Sequence, residues 1–494
     1  MHRLLAPLIF AGFLGLYTAT AAPDVLSGDS AEFQLAAMLG GVPHPTTYPL
    51  YTLLGSLAAH GLPFGLPAWR VTFASSLAAA LAVTAFFLLA RRLSRPAAAL
   101  AATLAFGLAP GLWNAATMAE VYALLMFLIV VLALLAEPII RRLPELPSRR
   151  ELLLFASIIT LGAGHHGLFV LCAVPPAMLL CFVLCRTAWH TRQMRRLVPP
   201  LAAGCALGLL PLAYPFVQYA RFGPFDGQDY GLPYHYYWGA PQSWVEVVDL
   251  LSGGTVRRGI FQAPSAESAW LTLQMVGRRL LFEFGPIGTL LGPIGAALLM
   301  QRNRGYYLAG MWLVVATLSY LLLLGPAVGD APVFTLPILL PWALWIATAV
   351  AALAAGAGRR IGFQQRHLPQ VVLITCIIAS LGWGATRLRV SSKHNLFLYR
   401  SFAEAALARL PPDAAVITHW EQGTTMLYLR FVEQRRPDVW IDVVEPGAHR
   451  CPPVPDPRPP HRPVYFIGQP ASVADLPVEL VLDRPYADLY RLKR

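Results

Sequence analysis

The chain has 494 residues, of which 56% are hydrophobic and only 13% charged, and its mean hydropathy is +0.54. A soluble domain carries roughly a quarter of its residues as charged groups, so one large water-soluble globule is excluded, and disorder is excluded more firmly still. The net charge of +12 does not read as a nucleic-acid footprint, because membrane proteins concentrate basic residues in cytoplasmic loops. All the basic residues are Arg except Lys393 and Lys493.

Taken in chain order, the apolar segments predict an α-helical polytopic membrane protein. Residues 4–22 form a first run after a basic start. It has the look of a signal peptide, but the chain keeps crossing afterwards, so an uncleaved span is expected. Further stretches of near-spanning length cover 68–90, 97–113, 121–138, 152–164, 167–185, 198–217, 280–300, 306–325, 332–355 and 368–385, about eleven transmembrane helices in all. With the N-terminus in the cytoplasm, the inner loops hold Arg91, Arg92 and Arg95, then Arg141 and Arg142, then Arg195 and Arg196, then Arg302 and Arg304. The segment 23–67 holds no Arg or Lys before the next span. This alternation predicts a multi-pass protein of the cell inner (plasma) membrane with its C-terminal part extracytoplasmic. The short pair 152–185 is expected to be a tight hairpin with His165 and His166 at its outer tip. A membrane domain over 1–385 carries large outer loops at 23–67 and 218–276. From 386 the chain turns charged and Pro-rich, with a helix at 402–409 and strands at 414–418, 439–444, 464–467 and 479–482. That pattern predicts a small extracytoplasmic α/β domain over 386–494. Cysteine shows no CxxC spacing and no disulfide framework.

The first outer loop carries the sharpest signal. In Gly28-Asp29-Ser30-Ala31-Glu32-Phe33, Asp29 and Glu32 share a helix face. They read either as a general base with a second acid beside it or as a capping box with Asp29 at the N-cap. His44-Pro45-Thr46-Thr47-Tyr48-Pro49 follows as a rigid turn with His44 and Tyr48 as polar tips. Glu120 opens an apolar span, either as a site residue or as an acid favoured by a helix N-terminus. His165 and His166 face the expected cavity or simply cap the hairpin. Arg278 and Arg279 precede the span at 280 and read as phosphate ligands or as snorkelling side chains, as does the pair Arg257-Arg258. Asp330 reads best as a solvated loop acid. Tyr230, Tyr234, Tyr236, Tyr237 and Trp238 make an aromatic cluster suited to a membrane interface or to sugar stacking.

These motifs, with Trp69-Arg70, Glu120-Val121-Tyr122, Gly164-His165-His166-Gly167, Leu251-Ser252-Gly253-Gly254 and Arg436-Pro437-Asp438-Val439, resemble a bacterial membrane family of unknown function related to protein O-mannosyltransferases. The likeness is strongest over 23–254. One departure stands out: the family usually has Pro-Gly between His-Pro and Tyr-Pro, and this chain has Thr46-Thr47. The resemblance implies the GT-C fold, a polyprenyl-phosphate sugar donor such as a mannosyl lipid, and a protein or glycan hydroxyl as acceptor. It also implies an essential Asp in the first outer loop, at Asp29. Some relatives in the wider fold use a divalent cation and others do not, and no dense carboxylate cluster in the sequence decides it. A flippase or transporter of a lipid-linked sugar is the competing class. No internal repeat is seen, and the midplane segments carry few ionisable residues. No nucleotide-binding or zinc motif appears.

Overall fold

A computed structural model describes residues 4–225, 232, 235–254, 261, 263–325, 331–359, 368–444, 462–468 and 477–492. Tyr230, Tyr234, Arg257, Arg258 and Asp330 lie outside the described residues.

Eight helices in the described residues are long and apolar enough to cross a membrane, and the chain is a multi-pass membrane protein. In chain order, α1 (Leu5–Thr20) leads to two helices of the first large loop, α2 (Gly28–Leu39) and α3 (Pro49–Gly61). There follow α4 (Pro67–Leu93), α5 (Pro96–Gly107), α6 (Pro110–Thr117), α7 (Tyr122–Arg141), α8 (Arg149–His165), α9 (Gly167–His190), α10 (Met194–Leu209), α11 (Ala213–Phe222) and α12 (Trp244–Ser252). The membrane part closes with α13 (Ala266–Arg302), α14 (Arg304–Leu324), α15 (Leu336–Arg359) and α16 (Leu368–Ser391). A helix stands at each expected span, but α1 and α8 are short, with 16 and 17 residues. Two helices then meet at His166 where the hairpin was expected.

Local chemistry sets several boundaries that apolarity alone misplaced. The expected span 97–113 is not one helix: α5 and α6 meet at 58°. Ala109 precedes Pro110, and steric clash with the proline ring drives Ala109 to an extended backbone, ending α5. The loop expected to run to 276 stops earlier, because Ser265 caps α13 by accepting the Ser268 amide. The span expected at 280–300 is therefore part of a 37-residue helix that kinks at Gly285, where φ is 67°. At the other end of the membrane part, α16 runs past the expected boundary to Ser391.

The tail folds as an α/β unit on α2. Its elements are α17 (Leu398–Arg409), β1 (Ala415–His419), α18 (Trp420–Phe431), β2 (Trp440–Val444), β3 (Val464–Gly468), β4 (Val478–Leu482) and β5 (Asp488–Leu492). The strand order is β2-β1-β3-β5-β4, with β1 parallel to β2 and β3 and the β5 pairings antiparallel. Its core (Val416, Ile441, Ile467, Leu429 and others) is continuous with Ala31, Leu35 and Ala36 of α2. The Arg436-Pro437-Asp438 motif has a structural task. The Arg436 guanidinium donates to the carbonyls of Leu407, Leu410 and Pro411 at 2.6–2.8 Å, satisfying the end of α17, and pairs with Asp438 at 2.7 Å.

Candidate active site

The site is built on α2. Ser27 is the N-cap residue, yet its side chain makes no capping bond. The capping-box reading of Asp29 and Glu32 is therefore overturned: Asp29 lies inside the first turn, and Glu32 points away from the helix start. Gly28 has φ 55°, and a Cβ there would lie 2.8 Å from a carboxylate oxygen of Glu421 on α18. Only glycine suits that left-handed backbone at such a close approach.

Glu32 is fully buried. Its Oε1 accepts from the His44 backbone N–H at 2.8 Å and from the Tyr236 hydroxyl at 2.7 Å. Its other oxygen holds the His44 ring through Nδ1 in a very short contact. On the opposite side of the ring, His44 Nε2 lies 3.8 Å from Asp29 Oδ2. Burial alone would lower the His44 pKa, but the carboxylates of Asp29 and Glu32 outweigh it and raise it from 6.5 to about 10. His44 is thus an imidazolium at neutral pH, held between two acids. Burial also raises the Glu32 carboxyl, which the His44 charge opposes.

Asp29 is the open member of the group, with its side chain 36% exposed. Its Oδ1 accepts from the Trp420 indole N–H at 2.9 Å. Trp420 begins α18 in the C-terminal domain, so one wall of the site comes from the far end of the chain. Sequence reading missed it, because nothing local to Trp420 marks a partner 391 residues away. The same seam is tied by Arg400, which bridges Asp24 at 3.0 Å and Glu433 at 2.6 Å, and by the Thr425 hydroxyl on the Leu26 carbonyl at 2.5 Å.

Other sequence candidates gather around this core. Ser30 donates to Glu120 Oε1 at 2.8 Å, and the Glu120 backbone N–H donates to Ser75 Oγ at 3.2 Å. Tyr48 packs edge-on to His44 and His165 and tilted on His166, with centroids 5.3, 6.1 and 6.0 Å away. Both histidines are buried: His165 Nε2 donates to the Val121 carbonyl at 3.0 Å, and His166 caps α9 by accepting the Leu168 amide at 3.0 Å. The pair thus ties the hairpin and packs on Tyr48 beside His44. Burial pushes the His166 pKa down to about 3, so it is a neutral wall. Tyr236 and Tyr237 are buried, the second donating to the Pro215 carbonyl at 3.2 Å, so they brace the loop. Trp238 is half-buried, and its Nε1 has no hydrogen-bond partner among the described residues. Arg279 is held by Glu283 at 2.6 Å, and Glu283 also accepts the Gly111 amide at 2.8 Å. Arg278 is exposed.

Asp29, Glu32 and His44 offer ligand atoms within 4.8 Å of one another. Both Glu32 oxygens and His44 Nδ1 are already bonded within the protein, so a cation would meet Asp29 Oδ2 and His44 Nε2, with Glu32 behind the imidazole, and would need that ring in its neutral form.

Residues 29–190 match the family described as "Protein O-mannosyl-transferase TMEM260 N-terminal domain". Over those residues the chain is similar to protein O-mannosyltransferases. It is 29% identical over 214 residues to Protein O-mannosyl-transferase TMEM260 of Mus musculus, covering 42% of this chain and 29% of that one. Against the Dictyostelium discoideum protein it is 35% identical over 83 residues, 16% and 10% of the two chains. The chain thus matches under a third of the length of these relatives. In fold it is similar to ArnT from Cupriavidus metallidurans bound to undecaprenyl phosphate, with TM-score 0.61 at 14% identity, over 98% of this chain and 97% of that one. A more distant likeness is the Archaeoglobus fulgidus oligosaccharyltransferase in complex with Zn and sulfate, with TM-score 0.51 at 12% identity, over 88% and 62%.

Proposed function

We propose that this chain is a membrane glycosyltransferase that moves a hexose, mannose by its family likeness, from a polyprenyl-phosphate donor to a protein or glycan hydroxyl. The reaction would run on the extracytoplasmic face of the inner membrane, with the N-terminus cytoplasmic. The Arg-rich loops at the opposite ends of the helices support that orientation. The observation that carries the reading is a half-open Asp29 carboxylate, fixed on one oxygen by Trp420 and faced on the other by the His44 imidazolium.

In this mechanism Asp29 Oδ2 takes the proton from the acceptor hydroxyl. The acceptor oxygen attacks the anomeric carbon from the face opposite the phosphate, and the C–O bond to phosphate breaks with its electron pair leaving on the phosphate. The products are an inverted glycoside, polyprenyl phosphate and a protonated Asp29. Holding the acceptor in line supplies much of the rate. His44 faces Asp29 Oδ2 at 3.8 Å, and Glu32 with Tyr236 keeps His44 in place. Glu120 and Trp238 are proposed to line the sugar site, and Arg278, the exposed arginine of its pair, to meet the donor phosphate.

The test uses the full chain in proteoliposomes with labelled polyprenyl-phosphate hexoses. Asp29→Asn should lower transfer by about 100-fold or more, the usual weight of a general base, with folding retained. Equal transfer by wild type and Asp29→Asn would remove Asp29 from the role. Movement of the labelled lipid across the bilayer without transfer would favour a flippase.

A further inference from the structure

Away from the Asp29 site, a cavity of about 190 Å³ opens among α4, α7, α9, α14 and α15. It reaches toward the Arg-rich ends of these helices, between Leu93, Ile140 and Tyr306. One water needs only ~10–15 Å³ on this scale, and it needs polar partners. This cavity has almost none. Leu132, Ala133, Ala177, Leu180 and Leu344 line it, and Glu137, Tyr306 and Thr348 are the polar exceptions.

Glu137 is 5% exposed, which is costly for an acid on an apolar helix. It is held by Arg92 at 3.2 Å, Arg141 at 2.5 Å and the Tyr306 hydroxyl at 3.2 Å. Two guanidinium groups thus meet one carboxylate, and both stay partly exposed, Arg92 at 39% and Arg141 at 57%. The cluster keeps a net positive charge at the rim of an apolar pocket.

We propose that this is a lipid site: an anionic phospholipid from the leaflet on the Arg-rich face places an acyl chain in the cavity and its phosphate on Arg92 and Arg141. Dry apolar walls suit a hydrocarbon chain. The surplus cation suits a headgroup of net negative charge over a zwitterionic one. Glu137 fixes the two arginines in register, so the charge is presented at one place. The inference is independent of the glycosyltransfer reading, because it concerns the opposite end of the helices.

Native mass spectrometry of the full chain, with added phosphatidylglycerol, phosphatidylcholine or polyprenyl phosphate, tests it. Wild type should retain one phosphatidylglycerol in preference to phosphatidylcholine by about fivefold, the effect of one interfacial charge. The triple variant Glu137→Gln, Arg92→Gln, Arg141→Gln leaves no unpaired buried acid and should bind both phospholipids equally. Filling the cavity by Ala177→Trp, or by the milder Ala136→Phe if the first lowers the melting temperature, should abolish retention. Three results would overturn the proposal: equal retention of lipid by wild type and a folded filled variant, no headgroup preference in wild type, or displacement of phosphatidylglycerol by polyprenyl phosphate.

Discussion

The backbone around Tyr48 illustrates how single residues tune this site. Thr47 and Tyr48 both have positive φ, 64° and 37°, and the Thr47 hydroxyl is buried with no hydrogen-bond partner in the described structure. A β-branched residue is poorly suited to that region. The glycine found here in the resembling family would suit it well. Thr47→Gly should therefore stabilise the protein by about 1 kcal/mol, the scale of left-handed strain in non-glycine residues, measured as a raised melting temperature. His44 gives a pH signature. Its pKa is raised from 6.5 to about 10, so the stabilisation from its carboxylate neighbours is fully present below 6.5 and is lost as pH rises through about 10. The melting temperature of wild type should fall over that alkaline window relative to its own value near pH 6, and His44→Gln should show a smaller fall. A flat wild-type profile would mean that His44 is not the imidazolium described above. Trp420→Phe removes one N–H from Asp29 and keeps the ring. It should lower kcat by roughly 10-fold with little change in KM, since losing a single orienting hydrogen bond is worth on the order of 1–1.5 kcal/mol.

Among the elements, α2 and α18 matter most, because they carry Asp29 and Trp420 and their close approach depends on Gly28. The end of α17 depends on Arg436, which satisfies three carbonyls that the helix cannot satisfy itself. Arg436→Ala should destabilise the C-terminal domain by about 2–3 kcal/mol, the cost of losing charge-assisted bonds to backbone acceptors. Arg436→Lys should rescue little of it, since an ammonium lacks the planar fork. Chemical denaturation followed by tryptophan fluorescence would read both. The expected strands of this domain were visible as short β-branched runs. Helix α18 was not, because Trp420–Phe431 mixes Gly423, Thr424 and Thr425 with its apolar residues, and its burial comes from α2 on one side and the sheet on the other. Strand β5 was missed for a related reason: Asp488, Arg491 and a short length hide a strand whose stability comes from pairing with β3 and β4.

At the scale of the molecule, the membrane helices and the C-terminal domain meet at the site. Arg400 is the main tie across that seam, and its charge is held by Asp24, Glu404 and Glu433 together. Arg400→Ala should loosen the domain from the first loop, making the linker near Ser392 a site of faster proteolysis and lowering transfer even though Arg400 does not touch the Asp29 carboxylate. Unchanged cleavage with lost transfer would place Arg400 in the chemistry instead.

The sequence by itself determined that the chain is a multi-pass membrane protein, which ends carry the arginines, and that Asp29 and Glu32 share a helix face just ahead of a histidine turn. Those are local properties, written in runs of apolar residues and in side chains a few positions apart. Only the tertiary structure decided that Glu32 is buried under His44 and Tyr236 while Asp29 stays open, and that an indole from near the C-terminus holds Asp29. It also decided that Glu137 closes an apolar cavity on the Arg-rich side. Such facts depend on burial and on contacts across hundreds of residues, and no local pattern encodes them. The same contacts give the scarce acids of this apolar chain distinct tasks.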